Sequence, residues 1–547
     1  MDINTRLEQR LHAFTRHRSI VVYLILLIIC VTTTIPILIY FYGRVFPWWV
    51  DGGNWLKQVN AIFGIEYPMW EEKPLRFDQL YFLSLASLIL LLKNQILALK
   101  VSALLTYAIL PATTFILTRR IFKSELAGLA AAFLSGIHPV FYETLGWGGY
   151  PNLLGYAVLP LAFYFILRSI DKTSRSNVIF AGLMVAITAF SHNLTSIVFF
   201  ATLIVWLVLT ILTKVLSKSF NAKTNLINVA YSAGILLSIL AIMFIVSGSP
   251  QYDFMNEAAF YKRRITWGDL LWIARNLEIG LSSVILTLTS FILIKFIRRK
   301  GSEPYALAMA SWILAPLLMT QTYLFGITVD YKRIFFYSIQ PTLIMTMGPM
   351  ALLGPLANKI TKAKIMNSLH VGQLAHRAAR TLPAALLILL SLSFLVAEAN
   401  IGLSHPAAVN YWYSKEDPYG DKEKLEALNW IKNHTPDQAV FVAEEHFGRW
   451  TEGYASRRVL MYTPPQFLFM RGEVERSMAA ETILESLLEL RSDLVRVSEQ
   501  EPYGNFTPSV SFKLEGVYED TLYINNLESK LYLTNGTYVW FERLSTT

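Results

Sequence analysis

Residues 19–55 read SIVVYLILLIICVTTTIPILIYFYGRVFPWWVDGGNW. The first two dozen carry no charge and are long enough to cross a bilayer core, which takes about 20 helical residues. Arg6, Arg10, Arg16 and Arg18 precede them, and an aromatic-rich turn holding Asp51 follows. The positive-inside rule places those arginines in the cytoplasm and Asp51 beyond the opposite face. The run is too long for a cleavable signal, and no small-residue cleavage site follows it, so it reads as a first span.

Runs of the same kind recur along residues 1–399. Further spans are read at about 96–118, 126–137, 153–167, 178–191, 196–212, 227–247, 280–296, 305–323, 334–356 and 383–397, about eleven in all. The 547 residues are 54% hydrophobic and 16% charged, whereas soluble proteins average about 25% charged. An ordinary soluble enzyme is excluded. The stretch at 79–92 decides the orientation of everything after it. A full span there would carry Arg119, Arg120 and Lys123 outside, whereas a half-helix in the outer interface keeps them in the cytoplasm. The stretch is short for a span. Read as a half-helix, it leaves nearly twice as many Lys and Arg in cytoplasmic segments as in outer ones.

Residues 400–547 differ in kind, with 14 Lys and Arg against 22 Asp and Glu. Residues 421–434 read as an amphipathic helix, 439–443 as a strand, 473–497 as a long helix and 509–544 as hairpins. The expected class is therefore an α-helical polytopic membrane protein of about 11 transmembrane helices, with outer loops at 44–95 and 138–152. A C-terminal extracytoplasmic α/β domain follows at 400–547. Asn505-Phe-Thr507 and Asn535-Gly-Thr537 agree with an exported tail. The net charge of +9 belongs to the membrane module and mostly records topology, so a nucleic-acid partner is not implied. The single cysteine, Cys30, lies inside the first span and excludes an intrachain disulfide or a cysteine metal site.

Polar residues gather at the outer ends of the spans. In Phe46-Pro-Trp-Trp-Val-Asp51-Gly-Gly-Asn-Trp55, the acid ringed by Trp48, Trp49 and Trp55 is either a base over a sugar-sized cleft or a helix cap in an interfacial aromatic belt. In His138-Pro-Val-Phe-Tyr-Glu143-Thr-Leu-Gly-Trp147, Glu143 is a second carboxylate or metal ligand, and His138 a phosphate or sugar partner. The plainer alternative is a His-Pro helix terminator followed by glycine turns. His192 falls at another outer end, as a ligand or as a structural histidine. Lys262-Arg263-Arg264 and Asp330-Tyr-Lys332-Arg333 are cations on the non-cytoplasmic side, against the topological bias. A lipid phosphate would explain them, and so would ion pairs with loop acids.

Together these features resemble the type-C glycosyltransferase superfamily, polytopic enzymes that use polyprenyl-phosphate-linked sugars. The likeness rests on Asp51 after the first span, Trp55-Leu56, Gly64 and Tyr67-Pro68. It continues through Thr118-Arg-Arg-Ile-Phe122, the small-residue span at 126–134 and Asp330-Tyr-Lys-Arg-Ile334. Gly448-Arg-Trp-Thr-Glu-Gly-Tyr-Ala-Ser-Arg457 is similar to a Trp…Gly…Arg turn in exported domains of the superfamily. The chain departs from oligosaccharyltransferase catalytic subunits, which carry Trp-Trp-Asp-Tyr-Gly where Trp450-Thr-Glu-Gly-Tyr454 stands here. They also place an Asp-x-Asp pair in the second outer loop, where this chain has Tyr150-Pro-Asn152.

The resemblance implies an inverting transfer of a sugar from a polyprenyl-phosphate or pyrophosphate donor to a glycan, lipid or protein acceptor. Asp51 would be the base, and Arg333, Lys332, Arg263 and Arg264 the phosphate ligands. Glu143 and His138 would orient substrate, with Trp48, Trp49, Trp55, Trp147 and His192 lining the cleft. Hard cations want several carboxylate oxygens, so no resident metal is expected and a divalent cation is disfavoured. The other readings are a flippase for lipid-linked sugars and a non-catalytic envelope scaffold.

Overall fold

The computed structural model describes residues 3–47, 51–65, 79–217, 281–298, 301–321, 331–356, 371–416, 421–437, 439–462 and 477–484. The chain opens with α1 (Ile3–Tyr42), α2 (Asp51–Ile62), α3 (Gln79–Leu92) and α4 (Gln95–Phe122). Then come α5 (Glu125–Ile137), α6 (Pro139–Gly146), α7 (Tyr150–Asp171), α8 (Arg175–Ser191) and α9 (Asn193–Leu216). After residues outside the described set follow α10 (Leu281–Arg298), α11 (Glu303–Met319), α12 (Tyr331–Thr346) and a 3-10 turn (Gly348–Leu352). The last described elements are α13 (Val371–Glu416), α14 (Asp421–His434), β1 (Val440–Glu444), α15 (Glu445–Gly453) and β2 (Arg458–Tyr462).

Among the described residues seven helices are long and apolar enough to cross a membrane: Ser19–Tyr42, Gln95–Phe122, Glu125–Gly146, Tyr150–Asp171, Leu194–Leu216, Leu281–Arg298 and Thr381–Asn410. This is a multi-pass membrane protein. Three apolar helices are shorter, among them α3, whose 14 residues fall short of the roughly 20 a crossing needs. The span expected at 227–247 lies outside the described residues.

Local sequence explains the helix boundaries. Asn94, Ser124 and Ser174 each accept a backbone N–H with their side chains and so start α4, α5 and α8. Lys93 and Lys123 turn left-handed just before α4 and just after it. The small residues of α5 let α4 come close: a Cβ on Gly128 would lie 2.8 Å from the Phe115 ring. Such close approach is how helices associate where lipid offers no hydrophobic drive.

One expectation changes here. The segment read as an outer loop at 138–152 is mostly helix, because His138 caps α6 through Nδ1 and Pro139 occupies its first turn. α5 and α6 thus run on as one kinked apolar unit, and His138 lies buried at its kink. The boundary drawn at residue 400 falls within α13, a helix of 46 residues that runs on past Ala399 to Glu416.

The two ends of the bundle are fastened differently. At the end where α1 stops and α4 starts, Lys100 Nζ donates to the carbonyls of Phe41 and Arg44. At the opposite end Asp171 gathers Arg120 (2.8 Å), Arg298 (3.6 Å) and the Tyr305 hydroxyl, tying α4, α7, α10 and α11 together.

The helix expected at residues 421–434 is present as α14, and the strand expected at 439–443 as β1. β1 and β2 pair in parallel, Val440 opposite Arg458 through Glu444 opposite Tyr462, with α15 as the crossover. Asp421 anchors this segment to the bundle by accepting the Val45 N–H (2.7 Å) and pairing with Arg44 (3.4 Å). The buried Arg457 guanidinium donates to the Lys432 and Thr435 carbonyls, closing the end of α14. The rest of the predicted long helix, apart from residues 477–484, and the predicted hairpins lie outside the described residues.

Candidate active site

Asp51 is the first residue of α2, where unpaired backbone N–H groups favour an acid. Gly52 and Gly53 follow it and let α15 approach to backbone contact. A Cβ on Gly52 would lie 2.8 Å from both Leu99 and the Trp450 ring, and one on Gly53 would fall on the Arg449 carbonyl. Gly453, at the far end of α15, would meet the Gly53 carbonyl in the same way. Asn60 donates to the Gly453 carbonyl (2.7 Å), Lys57 pairs with Glu452 (3.1 Å), and the buried Trp450 ring packs 4.6 Å from Phe46.

This glycine contact delivers Arg449 to Asp51. Arg449 Nη1 lies 3.1 Å from Asp51 Oδ1, and Nη2 lies 2.5 Å from Glu445 Oε1 one turn back on α15. Asp51 and Arg449 keep 17% and 18% of their side-chain surface open, so small polar groups can reach the pair.

The facing wall comes from the end of α6. Gly148 has φ +83°, which a side chain resists, and a Cβ there would lie 2.8 Å from the Asp51 Cβ. Its carbonyl accepts the Trp55 indole N–H at 2.6 Å, and the Trp55 ring packs against Phe82 of α3. Beside it, the Arg333 guanidinium from the first turn of α12 sits 4.3 Å over the Trp147 ring.

A neutral polar cluster adjoins Arg333. The Tyr337 hydroxyl lies 2.6 Å from Thr195 Oγ1, 3.3 Å from Asn152 Oδ1 and 3.5 Å from His192 Nδ1. The Thr195 backbone N–H donates to His192 Nδ1 (3.4 Å), so that nitrogen is the acceptor and the neutral ring carries its proton on Nε2. Burial, and then the Arg333 charge, push the imidazole down to about 3 and keep it neutral. Burial raises the Asp51 carboxyl above the usual aspartate value, while Arg449 and then Arg333 pull against that rise. The result is a carboxylate more basic than a solvated aspartate.

Of the residues singled out in the sequence, the structure gathers Asp51, Trp55, Trp147, Arg333 and His192 around one place. Glu143 is not among them: it is 44% exposed and points to His405 of α13 at 3.5 Å. His138 is paired instead with Glu398 of α13 at 3.8 Å, both 2% exposed, and its Nδ1 is committed to capping α6. Trp48, Trp49, Arg263 and Arg264 lie outside the described residues, as does the Lys332 side chain. Sequence reasoning missed Arg449, Glu445 and Tyr337. Arg449 stood in the quoted Trp…Gly…Arg stretch, where the glycines on either side of it were the available signal.

A family model matches residues 82–494, and the chain belongs to that family, DUF6541, a family of unknown function. No curated protein matches it significantly. Among solved structures it is similar to ArnT from Cupriavidus metallidurans bound to undecaprenyl phosphate. The identity is 12% and the TM-score 0.51, over 82% of this chain and 88% of that one. It also aligns with the archaeal oligosaccharyltransferase AglB from Archaeoglobus fulgidus, solved with an inhibitory peptide and a dolichol-phosphate. There the identity is 13% and the TM-score 0.48, over 82% of this chain and 64% of that one. The first likeness shows a fold shared with ArnT.

Proposed function

We propose that this member of the DUF6541 family is a membrane glycosyltransferase acting at the outer face. It would move a sugar from a polyprenyl-phosphate or pyrophosphate donor to a hydroxyl of a glycan, lipid or protein acceptor. One observation carries the reading: a carboxylate of raised basicity and a tryptophan-stacked arginine that acts on it lie at one end of a bundle sharing the fold of ArnT. In the ArnT structure that shares this fold the bound molecule is undecaprenyl phosphate, a ligand of the phosphate chemistry Arg333 suits.

In the proposed reaction Asp51 takes the proton of the acceptor hydroxyl as its oxygen bonds the anomeric carbon. The bond from that carbon to the donor phosphate breaks on the opposite side, the phosphate keeps the electron pair, and the sugar inverts. Arg333 faces the charge that grows on the phosphate, where a fixed cation lowers the barrier most. Trp147 and Trp55 offer ring faces to the sugar, and the Nε2–H of neutral His192 is a donor beside Arg333. Lys332, Arg263 and Arg264 are further cations for the carrier phosphate.

The test uses purified protein in lipid nanodiscs, a panel of polyprenyl-phosphate monosaccharides and hydroxyl acceptors. Release of polyprenyl phosphate that requires a matching acceptor, with an inverted product anomer, is the expected result. Labelled donor crossing a proteoliposome membrane with no product formed would replace transfer by transport.

A further inference from the structure

The contact between α2 and α15 does more than join two segments. It brings one guanidinium between two carboxylates, Asp51 at 3.1 Å and Glu445 at 2.5 Å, on helices whose glycines touch backbone to backbone. An arginine side chain is long and entropically costly to fix, yet here its fork is fixed at both tips. Glu445 is buried, and the neighbouring Glu444 is already used as the cap of α15, accepting the His446 and Phe447 N–H groups at 2.8 Å. Glu445 is thus the acid on α15 left to hold the other half of Arg449.

We propose that Arg449 is a positioning residue for the base: it fixes the Asp51 carboxylate in place, and its second bond to Glu445 sets how much positive charge Asp51 receives. The proposal rests on the reading of Asp51 as the base. Among the described residues, Arg449 from α15 and Arg333 from α12 act on Asp51, Tyr150 from α7 lies within its field with Tyr81 of α3 beside it, and Glu445 reaches Asp51 through Arg449. Lys57, on the same helix as Asp51, is engaged by Glu452. Arg449 is the cation bonded to Asp51, while Arg333 acts on it through space. Removing Arg449 therefore makes the carboxylate harder to ionise. Removing Glu445 releases the whole guanidinium to Asp51 and makes it easier to ionise. The two substitutions have opposite signs, which a purely structural role for the contact does not produce.

The experiment reads Asp51 directly and needs no sugar substrate. Full-length protein in nanodiscs is treated with a water-soluble carbodiimide and an amine, which label protonated carboxyls, and labelling at Asp51 is followed against pH by mass spectrometry. Arg449→Gln is expected to raise the midpoint by about one pH unit, a tenfold change in proton affinity. Arg449→Lys should restore part of that change, and Glu445→Gln should lower the midpoint below that of the unsubstituted protein. A midpoint unmoved by Arg449→Gln in folded protein overturns the proposal. If Arg449→Gln does not fold, Glu445→Gln decides alone, and an unmoved or raised midpoint is the contrary result. If the midpoints move as expected but no sugar is transferred, the linkage stands and the glycosyltransferase reading is what fails.

Discussion

α2 begins with an acid among aromatics and α6 carries one in its middle, and the fold surrounds the two in opposite ways. Asp51 is bonded to Arg449, feels Arg333 through space and faces a tryptophan-lined wall, and it stays partly open. His138 and Glu143 are turned towards α13, one buried against Glu398 and the other resting on His405. Only the far end of α6, Trp147-Gly148, reaches the Asp51 site. α6 is a strut with one end in the bundle and the other in the site. Carboxylates that look alike in sequence end in different surroundings because of what the fold puts opposite them.

The comparison can be broken or sharpened by substitution. The largest effect is expected at Asp51: Asp51→Asn should slow transfer by about 100- to 10,000-fold, the usual worth of a general base, with the protein still folded. Arg333→Gln should cost about 100-fold, and Arg333→Lys should recover only part, since an ammonium does not stack on Trp147 as a planar guanidinium does. Gly453→Ala forces a methyl into the Gly53 carbonyl and should cost about 1–3 kcal/mol of stability. A thermal-shift series would show it as a loss in the α14–α15 segment together with reduced transfer.

On the α6 side the signs separate. His138→Leu removes the imidazole facing the buried Glu398 and should cost on the order of 1–3 kcal/mol of stability, while the turnover of folded protein changes little. Glu143→Gln, on a half-open side chain, should leave both turnover and stability nearly as they were. A loss at Glu143 comparable to that at Asp51 would erase the distinction between the two regions.

What the sequence let one read follows the same division. The first span, the aromatic turn at Asp51 and the arginine in the first turn of α12 are local signals, and the structure places Asp51 and Arg333 near one another. The amphipathic period of residues 421–434 was equally local, and those residues form a helix between those limits. The Asp51–Arg449 pair was not legible, because its members lie 398 residues apart and nothing local says that α15 docks on α2. The glycines at 52, 53 and 453 are the trace of that docking, but as letters they read equally well as turns. The placement of His138 and Glu143 was not legible for the reverse reason. A His-Pro pair at the end of an apolar run looks like a loop, yet the histidine capped a new helix and the chain ran on, so both side chains were carried against α13.

The central claim is that Asp51 works as a base whose proton affinity is raised by burial. Activity then needs the ionised carboxylate and falls as pH drops through its pKa, which lies above the usual aspartate value. Single-turnover sugar transfer measured against pH, on the unsubstituted chain and on Asp51→Asn side by side, tests this most directly. The account predicts an acid limb above the ordinary aspartate range in the first and a slow, pH-independent residual rate in the second. An Asp51→Asn protein that transfers at the full rate with the same acid limb would contradict it.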